Sequence, residues 1–274
     1  MGREIIVSSG DALRMISLDH GGEMRHVPLE HAGALCVSES KIYCACGDVI
    51  WQMDRRNLMP TGLFSGGPDM RSLMLSKDGT RLFALSGEAD SVLMLSAKNG
   101  EPLLLNHAGV NPRGMALDGA CLAIAGGESG MAYIFCAYSL QLLHAISMPG
   151  PVYSVAIRNG TLYALCMTEE LSSLLITQKR GEICSVLALT GMPGTLLIRQ
   201  NDLIAATEGA LHIVSPDGKR LLKRIGISAQ TVWMEDTGRE MLLLDGCTEK
   251  LFSIGIHGVQ LLAGHVLCAA FCMV

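Results

Sequence analysis

The residues best suited to chemistry are two arginines and a tyrosine that recur at one position of a repeated pattern. Arg71, Arg113 and Tyr153 each open a short apolar segment, at intervals of 42 and 40 residues. Arginine offers two parallel N–H donors and keeps its charge, so two guanidinium groups beside a phenol suit a carboxylate or phosphate. Gln230 opens a later equivalent segment and joins the predicted ligand-binding set. The alternative is that each arginine pairs with a nearby acid, which for Arg71 is Asp69.

Two histidines precede equivalent segments and complete the predicted set. His31 and His265 could approach each other, and beside an acid they could hold a divalent metal or act as a general base. No His-x-x-x-His or Cys-x-x-Cys spacing supports a metal site, and no nucleophile elbow, phosphate loop or dinucleotide fingerprint occurs. The glycine-rich run 126–130 joins two predicted strands and is interpreted as a loop. We therefore predict no catalytic set, no metal and no cofactor.

An acid follows the second strand of every predicted unit. If the units are arranged radially, these acids form a rim that attracts a basic partner or a cation. The alternative is that turns favour Asp and Glu for solvation and local hydrogen bonds. The rim comprises Asp11, Asp48, Glu88, Glu128, Glu169, Glu208, Asp245 and Glu249.

The element that must position these residues is a repeat of about forty residues. An apolar pair opens a short strand at intervals of 37 to 41 residues, at Ile5, Ile42, Leu82, Leu122, Leu162, Leu203 and Met241. A period of this size indicates stacked or radially arranged units, none of which buries its own faces alone.

One unit shows the pattern of strands and turns most clearly. The segments 71–76, 81–86, 91–96 and 101–106 are predicted strands, separated by turns such as Lys77-Asp78-Gly79-Thr80. Four antiparallel strands per unit predict an all-β, seven-bladed β-propeller. The first unit lacks its inner strand, and the apolar segment 265–274 is predicted to complete that blade and close the ring, which removes exposed sheet edges.

We predict one domain over residues 1–274, because no linker interrupts the repeat. The expected blades cover residues 1–30 with 265–274, 31–67, 68–109, 110–149, 150–191, 192–228 and 229–264. A net charge of −5 argues against a nucleic-acid partner, and no apolar run of membrane-spanning length occurs. The chain begins without a signal-peptide run and contains ten cysteines, which favours a cytoplasmic location.

The units resemble the YVTN-type repeat of the quinoprotein- and lactonase-like propellers. The run from Lys77 to Ser86, continued by Val92-Leu93-Met94-Leu95, carries the likeness, and so does Gly160-Thr161-Leu162-Tyr163-Ala164-Leu165. The Tyr-Val-Thr-Asn tetrapeptide itself is absent. The class includes binding proteins, lactonases and dehydrogenase subunits, so the resemblance implies the fold rather than an activity.

Three functional hypotheses follow from these observations. The first is a non-enzymatic scaffold that binds a protein partner or a small anionic ligand at the channel mouth. The second is a lactonase-like hydrolase or lyase acting on a small anionic substrate, with His31 or His265 as the base. The third is a structural subunit whose rim docks a partner chain, which would need an exposed apolar patch.

Overall fold

The structure is a computed structural model that describes residues 3–20, 22–255 and 258–271. The described residues form twenty-seven β-strands and no helix, and none of their segments is a helix long and apolar enough to cross a membrane. The chain divides into two compact units, Met1–Leu105 with Glu235–Val274, and Asn106–Met234. Unit 1 and unit 2 are these two parts, in that order.

The strands pair antiparallel in one sheet of seven strands and five sheets of four strands. The seven-stranded sheet contains β1 Glu4–Ser8, β2 Gly10–Ser17, β3 Glu23–Val37, β4 Lys41–Cys46, β5 Val49–Asp54, β6 Pro60–Ser65 and β27 Cys268–Phe271. The next sheets contain β7 Met70–Leu75, β8 Arg81–Ser86, β9 Ser91–Ser96 and β10 Pro102–His107, then β11 Gly114–Asp118, β12 Cys121–Ala125, β13 Met131–Cys136 and β14 Leu142–Ser147.

Three further sheets repeat the same order of four strands. They contain β15 Val152–Arg158, β16 Thr161–Met167, β17 Ser173–Lys179 and β18 Glu182–Leu189, then β19 Pro193–Arg199, β20 Asp202–Thr207, β21 Ala210–Val214 and β22 Leu221–Gly226. The last contains β23 Thr231–Asp236, β24 Met241–Asp245, β25 Lys250–Gly255 and β26 Gly258–Ala263.

The first two predicted blades share one seven-stranded sheet, so the structure does not confirm seven separate four-stranded blades. Strand β3 pairs through Val27 with Leu13 of β2 and through Cys36 with Tyr43 of β4. The predicted boundary after residue 30 therefore falls inside one strand. No tight turn separates the two halves; a single residue of positive φ, His31 at 58°, lies between them, so the main chain continues and both halves stay in one sheet.

The predicted pairing of the C-terminal strand with the first unit is confirmed. Strand β27 pairs antiparallel with β1, with Ile6 opposite Ala270 and Val7 opposite Ala269. The predicted strand extended to Val274, and residues 272–274 lie outside the described residues. The pairing covers one side of β1, whose other side pairs with β2.

Burial follows strand position within the sheets. Along β4 and β8 every residue after the first is buried, because these central strands are covered on both faces. In unit 1, Tyr43 and Phe64 share an apolar cluster with Leu82 of the neighbouring sheet. A fully buried aliphatic side chain contributes roughly 1.5–3 kcal/mol, so such clusters are the main stabilisation of the sheets.

The fourth strands are the exposed ones. The first four residues of β10, β14, β22 and β26 are all exposed. Several of those positions carry large apolar side chains, among them Leu105, Leu143, Leu222 and Val259.

Candidate functional site

The term entry end is used for one end of each predicted blade. At this end the first strand begins, and the second strand connects to the third. Ahead of several first strands stands a non-glycine residue with left-handed backbone: His31 at φ 58°, Asp69 at 47°, Asn111 at 54° and His265 at 53°. Asn, Asp and His adopt this conformation more readily than other side chains. Each of these turns therefore places a polar side chain at the entry end.

In unit 1 the left-handed residue Asp69 binds the predicted ligand residue Arg71. The Nε of Arg71 donates to Oδ2 of Asp69 at 2.8 Å, and its Nη2 lies 2.7 Å from the same oxygen as an ion pair. The amide of Gly87, on the connection after the second strand, donates to the Asp69 carbonyl at 2.9 Å. A Cβ on Gly87 would lie 2.2 Å from Arg71 Nε and 2.4 Å from Asp69 Oδ2, so the glycine makes room for the pair. Arg71 is thus the locally paired arginine of the alternative interpretation.

In unit 2 the structure brings Arg113 and Tyr153 together. The guanidinium carbon of Arg113 lies 4.5 Å from the centre of the Tyr153 ring. Its Nη2 is 3.9 Å from Oε1 of Glu128, which also accepts a 2.7 Å hydrogen bond from Asn111 Nδ2. Arg113 Nε is buried and has no hydrogen-bond partner among the described residues. Arg113 therefore stacks on an aromatic face and keeps one donor unsatisfied, an arrangement that could accept a small anion.

The glycine-rich run 126–130 is a loop, and it holds Glu128 beside Arg113. The Glu128 amide donates to the Val110 carbonyl at 2.8 Å, and the Val152 amide donates to the Gly127 carbonyl at 2.9 Å. A Cβ on Gly127 would lie 2.0 Å from the Asn111 carbonyl oxygen. Only glycine permits so close a backbone approach at its φ of 58°.

Gln230, another predicted ligand residue, belongs to unit 2. Gln230 is half-buried and immediately precedes β23. It belongs to unit 2, as do Arg113 and Tyr153, whereas Arg71 belongs to unit 1.

The predicted rim acids are mostly exposed and lie at the entry ends. Those with exposed side chains are Asp11, Asp48 and Glu88 in unit 1 and Glu128, Glu169 and Glu208 in unit 2. Glu249 is half-buried, whereas Asp245 is only 2% exposed. Asp245 accepts hydrogen bonds from the Cys247 amide and the Thr248 hydroxyl. It therefore caps its own turn and differs from the solvent-facing rim that the sequence predicts.

The two predicted histidines face solvent. The His31 residue is exposed within β3, and the His265 side chain is 93% exposed, with Nδ1 3.9 Å from Oε2 of Glu249. The carbonyl of His265 accepts from Arg14 Nη2 at 2.9 Å. Among the described ranges, no group of three or more His, Cys, Asp or Glu side chains could hold a metal ion.

One histidine of unit 2, His212, is buried, which the sequence did not predict. His212 is 1% exposed, and its Nε2 lies 2.9 Å from Thr207 Oγ1, which donates to the Thr190 carbonyl at 2.7 Å. Because the hydroxyl proton goes to Thr190, His212 Nε2 is the donor. Burial and the positive charge of Arg224 lower the pKa of His212, so the imidazole is neutral. The available signal was the alternation of side chains between the two faces of β21. His212 shares a face with Ala210 and Val214, which are both buried.

Each unit also contains a cleft. The cleft of unit 1 has a volume of about 330 Å³ and is lined by Ser65, Gly66, Gly67, Met70, Ala84, Ser86, Ala89, Ser91, Leu93, Pro102 and Leu105. The cleft of unit 2 has a volume of about 200 Å³ and is lined mainly by polar residues, including Arg158, Asn159, Tyr163, Asn201 and Asp202. Neither His31, His265 nor Arg71 lines the unit 1 cleft, so the predicted base and anion-binding groups do not share it.

Comparison by sequence identifies no relatives. No protein-family model matches the chain, and no curated protein matches it.

Comparison by structure finds many similar chains at low sequence identity. A functionally unknown protein from Desulfotomaculum acetoxidans DSM 771 superposes with a TM-score of 0.84 at 12% identity, over 99% of each chain. The WD40 repeats of RRP9 give a TM-score of 0.75 at 12% identity, over 89% of this chain and 84% of that one. BamB from Moraxella catarrhalis gives 0.67 at 11%, over 89% and 79%. At such identities the likeness shows the fold alone: this chain is an all-β protein with the β-propeller fold.

Proposed function

We propose that this chain is a non-enzymatic binding scaffold that docks a basic protein segment at the entry ends of its sheets. One observation supports the proposal most: six exposed acids stand there, while the arginines among them are engaged locally. Arg71 is paired with Asp69, and Arg113 is held by Glu128 and Tyr153. Glu128 is partly neutralised by Arg113, and the other five exposed acids, Asp11, Asp48 and Glu88 in unit 1 and Glu169 and Glu208 in unit 2, carry the negative charge that attracts a basic partner and raises its association rate.

A small anionic ligand at Arg113 is the second candidate. The observation that favours it is the buried and unsatisfied Nε of Arg113 beside the Tyr153 ring. A carboxylate that accepted from this edge of the guanidinium would satisfy a donor that is costly to leave buried. Native mass spectrometry of gently purified protein, with Arg113→Lys as the comparison, tests for an anionic adduct. An adduct that persists unchanged in the variant contradicts this site.

Charge variants at the entry ends test the main proposal. The probe is a lysine-rich peptide in biolayer interferometry, and the test variants are Asp48→Asn with Glu88→Gln, and Glu169→Gln with Glu208→Gln. Glu182→Gln with Asp202→Asn is the matched control, because these exposed acids begin strands at the opposite end of their sheets. We expect the test variants to weaken binding severalfold at low salt and the control to leave it nearly unchanged. Equal losses in all three would mean non-specific attraction and contradict the proposal.

Catalysis is the outcome that would overturn the non-enzymatic part of the proposal. No observation among the described residues favours the hydrolase or lyase alternative, because His265 is solvent-facing and Arg71 is already paired. Incubation with a chromogenic ester and with simple lactones tests it. Turnover that is lost in His31→Ala or His265→Ala would establish an enzyme and discard the scaffold.

We further propose seven blades of the YVTN-like type in one domain over residues 1–274. The two pairing registers of β3, which meet at Ala32 next to the positive-φ residue His31, support the interpretation of the seven-stranded sheet as two blades. We also propose a cytoplasmic location. The nine cysteines that the structure describes form no disulfide with one another, which supports this location because disulfides are rare in reducing compartments.

A further inference from the structure

The most distinctive surface outside the paired arginines is the outer edge of unit 1 at β10. This strand ends its sheet in the order β10-β9-β8-β7 and is paired with β9 alone among the described strands. Its residues Leu103, Leu104 and Leu105 are 43%, 42% and 67% exposed. Edge strands present unpaired N–H and C=O groups, and natural proteins usually protect them with charge or proline. Pro102 and Glu101 protect only the start of this strand. Its central run of three exposed leucines has no such protection and marks an interaction surface.

The 330 Å³ cleft of unit 1 adjoins this edge. Leu105 and Pro102 of β10 line it together with Leu93 and Met70, and Gly66 and Gly67 form part of its wall. Its serines place few donors in it, since the Ser86 hydroxyl already donates to the Pro68 carbonyl and accepts from the Ala89 amide. The cleft is therefore shaped for an aliphatic side chain rather than for a charged group.

The residues around the cleft carry negative charge. Exposed Glu88 and half-buried Asp90 flank the lining residue Ala89, and exposed Glu101 precedes Pro102. Asp48 is also exposed. Its backbone carbonyl accepts a 2.9 Å hydrogen bond from the amide of Gly66, which lines the cleft. The nearby guanidinium of Arg71 is neutralised by Asp69. An occupant of complementary charge carries Lys or Arg beside its aliphatic residue.

We infer that the β10 edge and its cleft bind an extended segment of a partner protein in which aliphatic residues alternate with Lys or Arg. The segment adds a strand beside β10, one aliphatic side chain fills the cleft, and its basic side chains face the surrounding acids. Strand addition of this kind obtains affinity from main-chain hydrogen bonds and specificity from pockets for alternate side chains. This inference rests on the proposed function and names the segment that the scaffold takes. A second copy of this chain is disfavoured, because it would bring two acidic surfaces together.

Selection from a phage library of random peptides of about eight residues, a typical strand length, provides the probe. The full chain is the bait, and the enriched peptides are synthesised and titrated. We expect peptides with alternating aliphatic and basic residues. Methylating the backbone nitrogens along the peptide edge that pairs with β10 should abolish binding, because strand pairing needs those donors. Enrichment of no common pattern, or binding that survives N-methylation along each of the two edges in turn, would overturn the inference.

Gly67→Leu is the variant that fills the cleft. A Cβ at Gly67 meets nothing closer than 3.8 Å, at Ser86 Cβ, so Gly67→Ala is the matched control. We expect Gly67→Leu to weaken peptide binding by about tenfold or more and Gly67→Ala by less than about twofold. Leu105→Ser changes the edge itself, and we expect it to weaken peptide binding as much as Gly67→Leu does. Leu143→Ser on β14 is its control. Circular dichroism checks that each variant folds.

The two proposals fail in different ways. Binding can be weakened by added salt and by the double variant Asp48→Asn with Glu88→Gln, but not by Gly67→Leu or Leu105→Ser. In that case the acidic scaffold stands and the cleft inference is wrong. If the cleft variants abolish binding while neutralising the acids has no effect, the proposed acidic docking is wrong. Sedimentation of the wild-type chain as a dimer that Leu105→Ser dissociates would replace the partner segment with a second copy.

Discussion

The guanidinium carbon of Arg113 lies 4.5 Å from the centre of the Tyr153 ring, across two neighbouring sheets of unit 2. The cation comes from the loop ahead of β11 and the ring from β15. The pair joins the entry ends of these sheets, and Glu128 holds the guanidinium from its other side. The contact therefore stabilises unit 2 at the place where we propose that an anion could bind.

Replacing the tyrosine ring should measure this contact. An exposed cation–π contact contributes roughly 0.5–1 kcal/mol. Tyr153→Phe keeps the ring and Tyr153→Leu removes it. We therefore expect the free energy of unfolding of Tyr153→Leu to be lower than that of Tyr153→Phe by about 0.5–1 kcal/mol. Urea unfolding measures both. The same difference measured in an Arg113→Met background should vanish; a difference that persists there would assign the effect to packing alone.

Two glycines with the same backbone conformation should differ strongly when they are replaced. Gly127 and Gly119 have φ of 58° and 57°, yet a Cβ at Gly127 meets the Asn111 carbonyl at 2.0 Å whereas nothing lies within 4 Å at Gly119. We expect Gly119→Ala to cost about 1 kcal/mol and Gly127→Ala to cost several times more, because backbone must move. Thermal unfolding of the two variants checks this, and similar midpoints would contradict the close approach.

Glu235 of β23 should lower stability at neutral and higher pH. Burial raises the pKa of its carboxyl to about 7, from an ordinary value near 4.5. The folded state then binds more protons than the unfolded state, so stability is lost as the pH rises through this window. We expect Glu235→Gln to raise the free energy of unfolding at pH 8 by up to about 3 kcal/mol and to change it little below pH ~4. Exposed Glu101→Gln is the control, and an equal gain from it would refute the assignment to Glu235.

His212 should act in the opposite direction on acidification. Burial lowers the pKa of its imidazole, so the unfolded state binds the proton first and stability is lost as the pH falls from about 6.5 towards the folded pKa. We expect His212→Gln to flatten the fall in stability between pH ~7 and ~5. The comparison is made in the Glu235→Gln background, which removes the opposing titration. The exposed His26→Gln should keep the original slope; if it flattens the slope equally, His212 is not the group responsible.

Removal of the C-terminal strand should prevent stable folding. Deleting residues 265–274 leaves Ile5 and Val7 of β1 without their pairing to β27 and exposes an apolar edge. We expect the truncated chain to lose its cooperative thermal transition, measured by circular dichroism. Addition of the peptide 265–274 in trans should restore part of the transition. A truncated chain that unfolds at the original temperature would show that β27 is dispensable.

The strands and turns could be predicted from the sequence because their signals are local. In the segment 81–86 apolar and polar residues alternate little, because the strand is buried on both faces. Its ends are marked by Asp78-Gly79 before it and Gly87 after it. Strand β8 has the predicted bounds. Asn159-Gly160 indicates a two-residue hairpin, and both residues have positive φ, at 50° and 70°. The pairing of Arg71 with Asp69 was likewise foreseeable as an alternative, since only two positions separate them.

By itself, the sequence determined the period of the repeat, the four-strand unit and the need for a C-terminal strand beside β1, since turn residues and apolar spacing act over a few positions. Only the tertiary structure decided that β3 runs unbroken through His31, that Asp245 is buried, and that Arg113 stacks on Tyr153. It also placed His212 in the core beside Thr207. The physical reason is that strand continuity, burial and stacking depend on residues that the fold brings together from distant parts of the chain, where no local pattern records the partner.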